Sequence, residues 1–375
     1  MTTTAFSYPP TADDGAPHYR LQRHPDPCSA AERDRALAAP GFGQAFTDHM
    51  ARTTWTAREG WTDRRVQPYA PLSLDPAAAV LHYGQEIFEG LKAYRHPDGS
   101  VWTFRPELNA ARFAASARRL ALPELTEADF LASIAALVRA DVDWVPSTPG
   151  SSLYLRPFMF ASEAFLGVRS AQVVDYLVIA SPSGPYFSAG FAPVDIWVAD
   201  GQHRAGAGGT GAAKCGGNYA ASLLPQQQAA EQGCDQVCFP DAGTNTLLEE
   251  IGSMNVLVVT RDGAVHTPEL TGTILSGVTR RSVLDLCRDQ GRDVHERPLP
   301  LAEVIGGLRT GEVTEVFACG TAAVITPIGR LAGTSFDLTV GDRAPGPVTT
   351  ALYDELTGIQ RGSAPDDRGW MFRLA

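Results

Sequence analysis

The chain has 375 residues and a net charge of −11, and 44% of its residues are hydrophobic while 19% are charged. This apolar content excludes an intrinsically disordered chain, and the length predicts about two domains. The acidic balance, with no basic run, argues against binding to nucleic acid or to an anionic membrane.

Targeting and metal-binding signals are absent from the sequence. Residues 1–10 lack the cationic and apolar regions of a secretion signal, and no apolar run approaches membrane-spanning length. The six cysteines form no Cys-x-x-Cys pair and no regular framework, so we expect neither a disulfide scaffold nor a metal site. These features predict a protein of the reduced cytoplasm.

The first half of the chain predicts a smaller α/β domain over residues 1–183. Residues 1–75 are rich in Pro, Asp and Arg and only weakly periodic, which predicts a wrapping arm with loops. The Pro- and Gly-containing stretch Ser181–Pro185 interrupts the pattern, and we place an interdomain linker at residues 184–193. Between arm and linker the pattern predicts three strands and two helices: strand Val101–Phe104, a helix from Pro106 to Leu120, a second helix capped by Thr126, and strands Ser152–Ala161 and Asp175–Ala180.

Residues 194–375 predict a larger second domain that is also mixed. Hairpins replace a strict alternation of strand and helix, which favours an α+β fold with antiparallel or mixed sheets. The predicted elements in chain order are strand Val194–Val198, helix Asn218–Gln232, strand Gln236–Phe239, a hairpin of Ile251–Thr260 with Ala264–Thr267, helix Val278–Gln290, strands Val313–Ala318 and Ala323–Ile328, and helix Thr349–Gln360.

Lys214 is the most informative single residue, because the chain has 29 arginines and only two lysines, Lys92 and Lys214. A primary amine can lose its proton and attack a carbonyl, whereas a guanidinium cannot. Small residues flank Lys214 throughout 208–219, so backbone and amine can lie close to a flat ligand. The local sequence leaves two interpretations open, a covalent cofactor lysine and an exposed loop lysine.

Three further motifs supply complementary groups. Glu249 and Glu250 stand at the mouth of an apolar strand, where a carboxylate can keep a pyridine nitrogen protonated. The helix that begins at Gly277–Arg280 offers free amides to a phosphate, and the Gly320–Ala322 turn offers amides to a carboxylate or phosphate. Each motif also has an ordinary structural interpretation: a solvated strand end, a plain helix start and a hairpin turn.

Together with Lys214, these groups match the requirements of pyridoxal 5′-phosphate. The sequence contains no His-Glu-x-x-His motif and no Gly-x-Ser-x-Gly motif, which argues against a zinc protease or a serine hydrolase.

The motifs resemble those of the branched-chain amino acid aminotransferases, which are fold-type IV pyridoxal phosphate enzymes with two domains. The resemblance extends from about Tyr69 to nearly the end of the chain. Besides the Lys214 and Glu250 segments it rests on Leu-His-Tyr-Gly-Gln-Glu-Ile-Phe-Glu-Gly-Leu-Lys-Ala-Tyr (81–94), Phe104–Asn109, Leu153–Pro157, Gly277–Arg280 and Phe317–Ala322.

The resemblance implies roles at the cofactor. Lys214 resembles the Schiff-base lysine that also carries the substrate proton, Glu250 the partner of the pyridine nitrogen, and Tyr219 the partner of the phenolic oxygen. The remaining cofactor contacts that it implies are Arg112, Arg204, Ser253, Gly277, Val278, Thr279 and Thr321.

The resemblance also implies a substrate pocket and a homodimer. Arg156 resembles the group that binds the distal carboxylate of glutamate, and the Thr321–Ala322 turn resembles the anchor of the α-carboxylate. The pocket walls would be Phe88, Tyr154 and Tyr186, with Tyr83, Leu166 and Val168 lent by the neighbouring subunit. Lys92 is interpreted as structural.

The implied reaction is reversible ping-pong transamination of L-leucine, L-isoleucine and L-valine with 2-oxoglutarate. The chain departs from the family pattern at Phe239–Leu248, Ile251 and Ser253, positions that we expect beside the cofactor ring and substrate pocket, and it lacks the Cys-x-x-Cys of mammalian relatives. Three alternatives therefore stay open: a paralogue for aromatic or β-methylated amino acids, another fold-type IV enzyme such as a D-amino acid aminotransferase or aminodeoxychorismate lyase, and a non-catalytic binding homologue.

Overall fold

A computed structural model describes residues 17–187 and 190–375. Within these ranges the strands are β1 Arg20–Leu21, β2 His49–Thr56, β3 Gly60–Pro68, β4 Glu86–Phe88, β5 Leu91–Arg95, β6 Val101–Phe104, β7 Ser152–Ala161, β8 Val173–Ser183, β9 Val194–Val198, β10 Gln236–Pro240, β11 Leu248–Ile251, β12 Met254–Thr260, β13 Val265–Thr267, β14 Val294–Glu296, β15 Val313–Gly320, β16 Val324–Gly333, β17 Phe336–Thr339 and β18 Met371–Arg373. The helices are α1 Ala30–Ala38, α2 Ala79–Tyr83, α3 Pro106–Arg119, α4 Glu127–Ala140, α5 Gly216–Ala220, α6 Leu223–Glu231, α7 Val278–Asp289, α8 Leu301–Thr310 and α9 Pro347–Arg361, with a 3₁₀ turn at Val142–Trp144.

The chain divides into two compact units. The first ends at Tyr186 and also contains Gly358–Ala375, while the second comprises Phe187–Thr357. The change of unit at Tyr186 lies inside the expected linker, 184–193. The expected second domain ran to residue 375, but its last residues belong to the first unit because β18 pairs antiparallel with β6.

The first unit is built on a mixed sheet with the strand order β1-β3-β2-β8-β7-β5-β6-β18, and β4 pairs with β7. Helices α3 and α4 form as expected. Pro106 occupies the first turn of α3, and the Thr126 hydroxyl accepts a hydrogen bond from the Asp129 amide at 3.0 Å to cap α4. The apolar face of α4 is fully buried through Phe130 and Ile134.

The second unit contains a closed ring of strands. Its order is β11-β10-β9-β16-β15-β12, and β11 also pairs with β12, so the ring closes. The ring encloses a core of apolar side chains that includes Ile196, Val256, Ala318 and Ile328. Because Glu250 lies on β11 and Thr321 directly follows β15, the rim of this ring carries several expected functional residues.

The expected arm over residues 1–75 is wrong for its described part. Residues 49–68 form the β2–β3 hairpin, and β2 pairs with β8 inside the sheet. The polar sequence of β2 hid this strand. Its charge is balanced across the sheet, since Arg52 donates two hydrogen bonds to Asp175 at 2.8 and 3.0 Å. Residues 1–16 lie outside the described residues.

Three predicted boundaries are also wrong. Residues 181–183 belong to β8, where Ser183 pairs with Ser152 of β7, so they are not a linker. The predicted helix 218–232 is two helices, α5 and α6, because Pro225 lacks the amide that a continuous helix would need. The long strand from Ile251 is interrupted at Gly252, whose φ of +55° makes a tight turn between β11 and β12.

The described residues present neither a metal-binding group nor a membrane span. No cluster of three or more His, Cys, Asp or Glu side chains within 17–187 and 190–375 could hold a metal ion. No helix in these ranges is long and apolar enough to cross a membrane. All six cysteines are free thiols, and five of them are buried.

Candidate active site

Lys214 lies at the end of a glycine-rich loop, directly before α5. Its Nζ donates a hydrogen bond to the Tyr219 hydroxyl at 2.7 Å, and Nζ lies 5.2 Å from the centre of the Tyr219 ring. The one-turn helix α5 therefore brings an amine and a phenol into direct contact.

The Lys214 loop is held in shape by a buried amide. Asn218, which is 3% exposed, donates from Nδ2 to the carbonyl oxygens of Thr210 and Ala213, both at 2.8 Å, and accepts from the Thr210 hydroxyl at 2.8 Å. Gly211 allows a close approach, because a Cβ there would lie 2.3 Å from the Thr273 carbonyl oxygen. The backbone on the amino-terminal side of the lysine is thus fixed by side-chain and backbone contacts.

Glu250 is a buried carboxylate, 2% exposed, on β11. Its Oε1 accepts from Asn255 Nδ2 at 3.1 Å and from the Leu275 amide at 3.2 Å, while its Oε2 pairs with the Arg204 guanidinium. Burial raises the pKa of Glu250 from its ordinary 4.5 to about 7, although Arg204 and Lys214 lower it. The carboxylate is therefore costly to ionise until a further cationic partner approaches.

Arg204 joins three parts of the second unit. Besides Glu250, its Nη2 donates to the carbonyl oxygens of Gly211 at 3.1 Å and Thr273 at 2.7 Å. Glu249 faces a different group, accepting a short hydrogen bond from the Thr273 hydroxyl, and partial burial raises its pKa. The structure thus separates the two adjacent carboxylates, with Glu250 buried beside Lys214 and Glu249 on the outer side.

The two expected anion sites lie at ends of elements. Gly277 is the N-cap of α7, so the first amides of that helix, from Val278 and Thr279, have no partner within the helix. Both residues are buried. The turn 321–323 joins β15 to β16 and is half-buried.

A cleft in the second unit collects many of these groups. Its lining residues are Arg204, Asn218, Tyr219, Ser222, Glu250, Gly252, Ser253 and Leu275. Of the positions where the chain departs from the family pattern, Ser253 lines this cleft. The expectation is wrong for Phe239, Leu248 and Ile251, which pack into hydrophobic cores of the second unit.

The expected residues of the first unit form their own arrangements. Arg112 donates from Nε and Nη2 to the two oxygens of Glu89, at 2.7 and 2.8 Å, and Glu89 is fully buried. The Arg156 guanidinium lies 4.8 Å from the Phe88 ring centre and donates to the Tyr154 hydroxyl at 3.1 Å.

Aromatic rings extend this arrangement within the first unit. Phe42 packs edge-on against Tyr154 and Tyr186, with ring centres 5.0 and 5.5 Å apart. Gly90 makes room for the Tyr154 hydroxyl, which would lie 2.0 Å from a Cβ at that position.

Tyr83, Leu166 and Val168 lie together at the surface of the first unit. The Tyr83 hydroxyl donates to the Leu166 carbonyl oxygen, and the three side chains are 42, 65 and 87% exposed. Such a cluster of exposed apolar side chains is typical of an interaction surface.

Sequence reasoning missed Glu89, Asn218, Asn255 and Phe42. Glu89 stands in the Phe-Glu-Gly-Leu-Lys motif and Asn218 directly precedes Tyr219, so both lay within quoted motifs. Their partners lie 23 and 8 residues away or less, and only the folded chain shows the contacts. Phe42 carried no signal, since it lies in the segment predicted as an arm.

The fold and the Lys214 site together define a pyridoxal phosphate type of aminotransferase architecture, and comparison with known proteins identifies the family. Residues 86–331 match the family described as Amino-transferase class IV. The chain belongs to this family, so the expected fold-type IV architecture and the expectation of an aminotransferase are confirmed.

Close relatives carry more specific names. A protein of Mycolicibacterium smegmatis named branched-chain-amino-acid aminotransferase is 52% identical over 366 residues, which cover 96% of this chain and all of the relative. A probable branched-chain-amino-acid aminotransferase of Streptomyces coelicolor is 53% identical over 362 residues, covering 96% of this chain and 99% of the relative.

Solved structures agree with this assignment. The Escherichia coli branched-chain amino acid aminotransferase superposes with a TM-score of 0.72 at 27% identity, covering 87% of this chain and 100% of that one. A second solved branched-chain amino acid aminotransferase, from T.th. and complexed with N-(5′-phosphopyridoxyl)-L-glutamate, has a TM-score of 0.69 at 25% identity, covering 87% and 99%.

Proposed function

We propose that the chain catalyses reversible transamination of L-leucine, L-isoleucine and L-valine with 2-oxoglutarate, using pyridoxal 5′-phosphate. The contact of Lys214 Nζ with the Tyr219 hydroxyl, in the same unit as the buried Glu250, carries the proposal. The names of relatives that are 52 and 53% identical over nearly the whole chain support the choice of substrates.

The residues of the second unit fit this cofactor by their chemistry. An aldehyde needs an amine, which Lys214 offers, and a phenolic oxygen needs a hydrogen-bond donor, which Tyr219 offers. A phosphate is suited to the free amides at the start of α7. A pyridine nitrogen needs an anionic partner, and a protonated ring would relieve the burial cost that raises the pKa of Glu250.

Lys214 has two tasks in the proposed reaction. Its amine holds the cofactor covalently, and after release it moves a proton from the α-carbon of the amino acid. When bound, pyridoxal phosphate supplies the electron sink that makes this proton removable. The Tyr219 hydroxyl, in hydrogen-bond contact with Nζ, keeps the amine oriented during both tasks.

Glu250 keeps a negative charge beside the ring nitrogen, and Arg204 holds one oxygen of that carboxylate in place. Ser253 and Leu275, which line the same cleft, provide surface for the ring. For Arg112, Arg156, Phe88, Tyr154 and Tyr186 we retain, as part of the proposal, the roles that the family resemblance implies, and likewise for the Thr321–Ala322 turn.

We also propose that the enzyme is a homodimer and works in the cytoplasm. The exposed Tyr83, Leu166 and Val168 support a contact with a second copy, since these side chains are apolar and adjacent. The buried free thiols of residues such as Cys238 and Cys319 suit a reducing compartment.

A donor screen tests the substrate. The purified holoenzyme is assayed with 2-oxoglutarate and each of L-Leu, L-Ile, L-Val, L-Phe, L-Trp, β-methylated amino acids and D-Leu, and glutamate formation is followed. The three branched-chain L-amino acids should give the highest kcat/KM. Turnover of only an aromatic or β-methylated donor would refute the substrate while leaving the chemistry intact, and turnover of D-Leu alone would point to the D-amino acid enzymes. A protein that takes up no pyridoxal phosphate would refute the enzyme itself.

A further inference from the structure

The side chain of Asn255 lies between Glu250 and the loop that leads into α7. Asn255 is on β12, is 5% exposed, and pairs in register with Glu250 on β11. Its Nδ2 donates to Glu250 Oε1 at 3.1 Å and to the Leu275 carbonyl oxygen at 3.0 Å. An amide nitrogen has two hydrogens, so both are used, one by the carboxylate and one by the loop.

The loop contacts the same carboxylate from the other side. The Leu275 amide donates to Glu250 Oε1 at 3.2 Å. Two residues later Gly277 packs against the Asn255 amide, since a Cβ at Gly277 would lie 2.0 Å from Asn255 Oδ1. Gly277 is also the N-cap of α7. The amide therefore connects Glu250 directly to the start of the helix.

We propose that Asn255 is a positioning residue that fixes the orientation and ionisation of Glu250 and couples them to the amino terminus of α7. This inference rests on the proposed function, because it concerns the group that would face the ring nitrogen. Asn255 does not contact substrate or cofactor in the proposal, and it acts only through Glu250 and the 275–277 loop.

An aspartate could not replace the amide. Glu250 Oε1 and the Leu275 carbonyl oxygen are both acceptors, so a carboxylate at 255 would leave both without this donor. It would also place a second negative charge beside Glu250 and so favour the protonated form of that side chain. The other charged groups that act on Glu250 are Arg204, Lys214 and Glu249.

The test compares Asn255→Asp with a matched substitution, Asn245→Asp. Asn245 also donates to a carboxylate, Asp200, at 3.1 Å, but it lies in the loop between β10 and β11. Three quantities are measured: the dissociation constant of pyridoxal phosphate, the pH profile of cofactor absorbance in the holoenzyme, and kcat and KM separately.

For Asn255→Asp we expect cofactor affinity and kcat to fall by about 10- to 100-fold, the range for lost hydrogen bonds to a charged group, with little change in KM for leucine. The pH profile of absorbance should shift, and Asn245→Asp should leave all three quantities near those of the unchanged protein. Loss of thermal stability with an unshifted pH profile and unchanged affinity would overturn the proposal, as would an equal shift in Asn245→Asp.

Two further variants keep the test informative if Asn255→Asp does not fold. Asn255→Ala removes the donor without adding charge, and Gly277→Ala displaces the amide by the contact described above. Each should shift the pH profile in part, and an unshifted profile in both would overturn the proposal. Cofactor binding and its pH profile are measured without any amino acid, so an unexpected substrate preference would refute the proposed function and leave this result interpretable.

Discussion

At the residue scale, the scarcity of lysine has a chemical explanation for one of the two lysines. Lys214 contacts a phenol and lies in a unit with a buried carboxylate, a setting that uses the ability of an amine to lose its proton. Lys92 is buried on β5, and burial together with the neighbouring Arg361 lowers its pKa to about 7. Burial alone can therefore perturb a lysine, and rarity identified Lys214 only in combination with its partners.

Replacement of Lys214 by alanine should remove both the covalent anchor and the proton carrier. We expect transamination to fall by at least about 10²–10⁴-fold, the usual contribution of positioned proton transfer. Lys214→Arg should be equally inactive, since a guanidinium keeps its proton. Cofactor absorbance and initial rates provide the measurement, and Lys92→Met is the control that keeps its absorbance. Near-normal turnover in Lys214→Ala would refute the assignment.

Glu250 should make the stability of the cofactor-free protein depend on pH. Its pKa is raised in the folded state, from 4.5 to about 7. The folded protein thus holds this proton more tightly than the unfolded chain does, so stability is lost as pH rises from about 4.5 to about 7 and is constant above. Glu250→Gln removes this loss.

The difference in unfolding free energy between Glu250→Gln and the unchanged protein should therefore grow by up to about 3 kcal/mol across that window. Denaturant titrations of both cofactor-free proteins at several pH values measure it, and saturation with pyridoxal phosphate should reduce the effect. Parallel pH curves for the two proteins would contradict the perturbed carboxyl.

At the element scale, the active-site residues of the second unit occupy ends of strands and helices. Lys214 precedes α5, Glu250 is next to the last residue of β11, and Gly277 caps α7. Ends of elements leave backbone amides unpaired and side chains accessible, while the closed ring of strands supplies rigidity. The tight turn at Gly252 brings β11 and β12 together and so aligns Asn255 with Glu250.

Two glycines beside Lys214 should respond oppositely to alanine. A Cβ at Gly211 would lie 2.3 Å from the Thr273 carbonyl oxygen, so the Lys214 loop must move, whereas a Cβ at Gly217 would have no atom within 4 Å. We expect Gly211→Ala to destabilise the protein by about 1–3 kcal/mol and to weaken cofactor binding. Gly217→Ala, within α5, should be neutral or stabilising by about 0.5–1 kcal/mol. Thermal unfolding and cofactor titration distinguish them, and equal effects would contradict the close approach.

At the scale of the whole molecule, each unit carries part of the expected set of functional residues. The second unit carries Lys214, Glu250 and the α7 terminus, and the first carries Arg112 in its buried pair with Glu89. The return of the chain to the first unit through β18 also shows that neither unit is a simple half of the sequence.

A charge on the exposed apolar cluster should disrupt the proposed dimer. Val168 is 87% exposed, so Val168→Asp costs nothing in the isolated fold but would bury a carboxylate in a subunit contact. Sedimentation velocity should show the unchanged protein as a dimer and the variant shifted toward monomer, with reduced activity. Leu223→Asp, at another exposed leucine (69%), serves as the control and should remain dimeric. A monomeric unchanged protein would refute the homodimer.

The sequence by itself determined the family, the chemistry of Lys214 and most strands and helices after residue 100, because long motifs and local periodicity are recorded in neighbouring residues. The tertiary structure decided where polar groups find distant partners. It turned the expected arm into the β2–β3 hairpin, because Arg52 is satisfied by Asp175 123 residues away. It also chose Glu250 over Glu249, since only folding buries one carboxylate beside Arg204 and Asn255 and leaves its neighbour on the outer side.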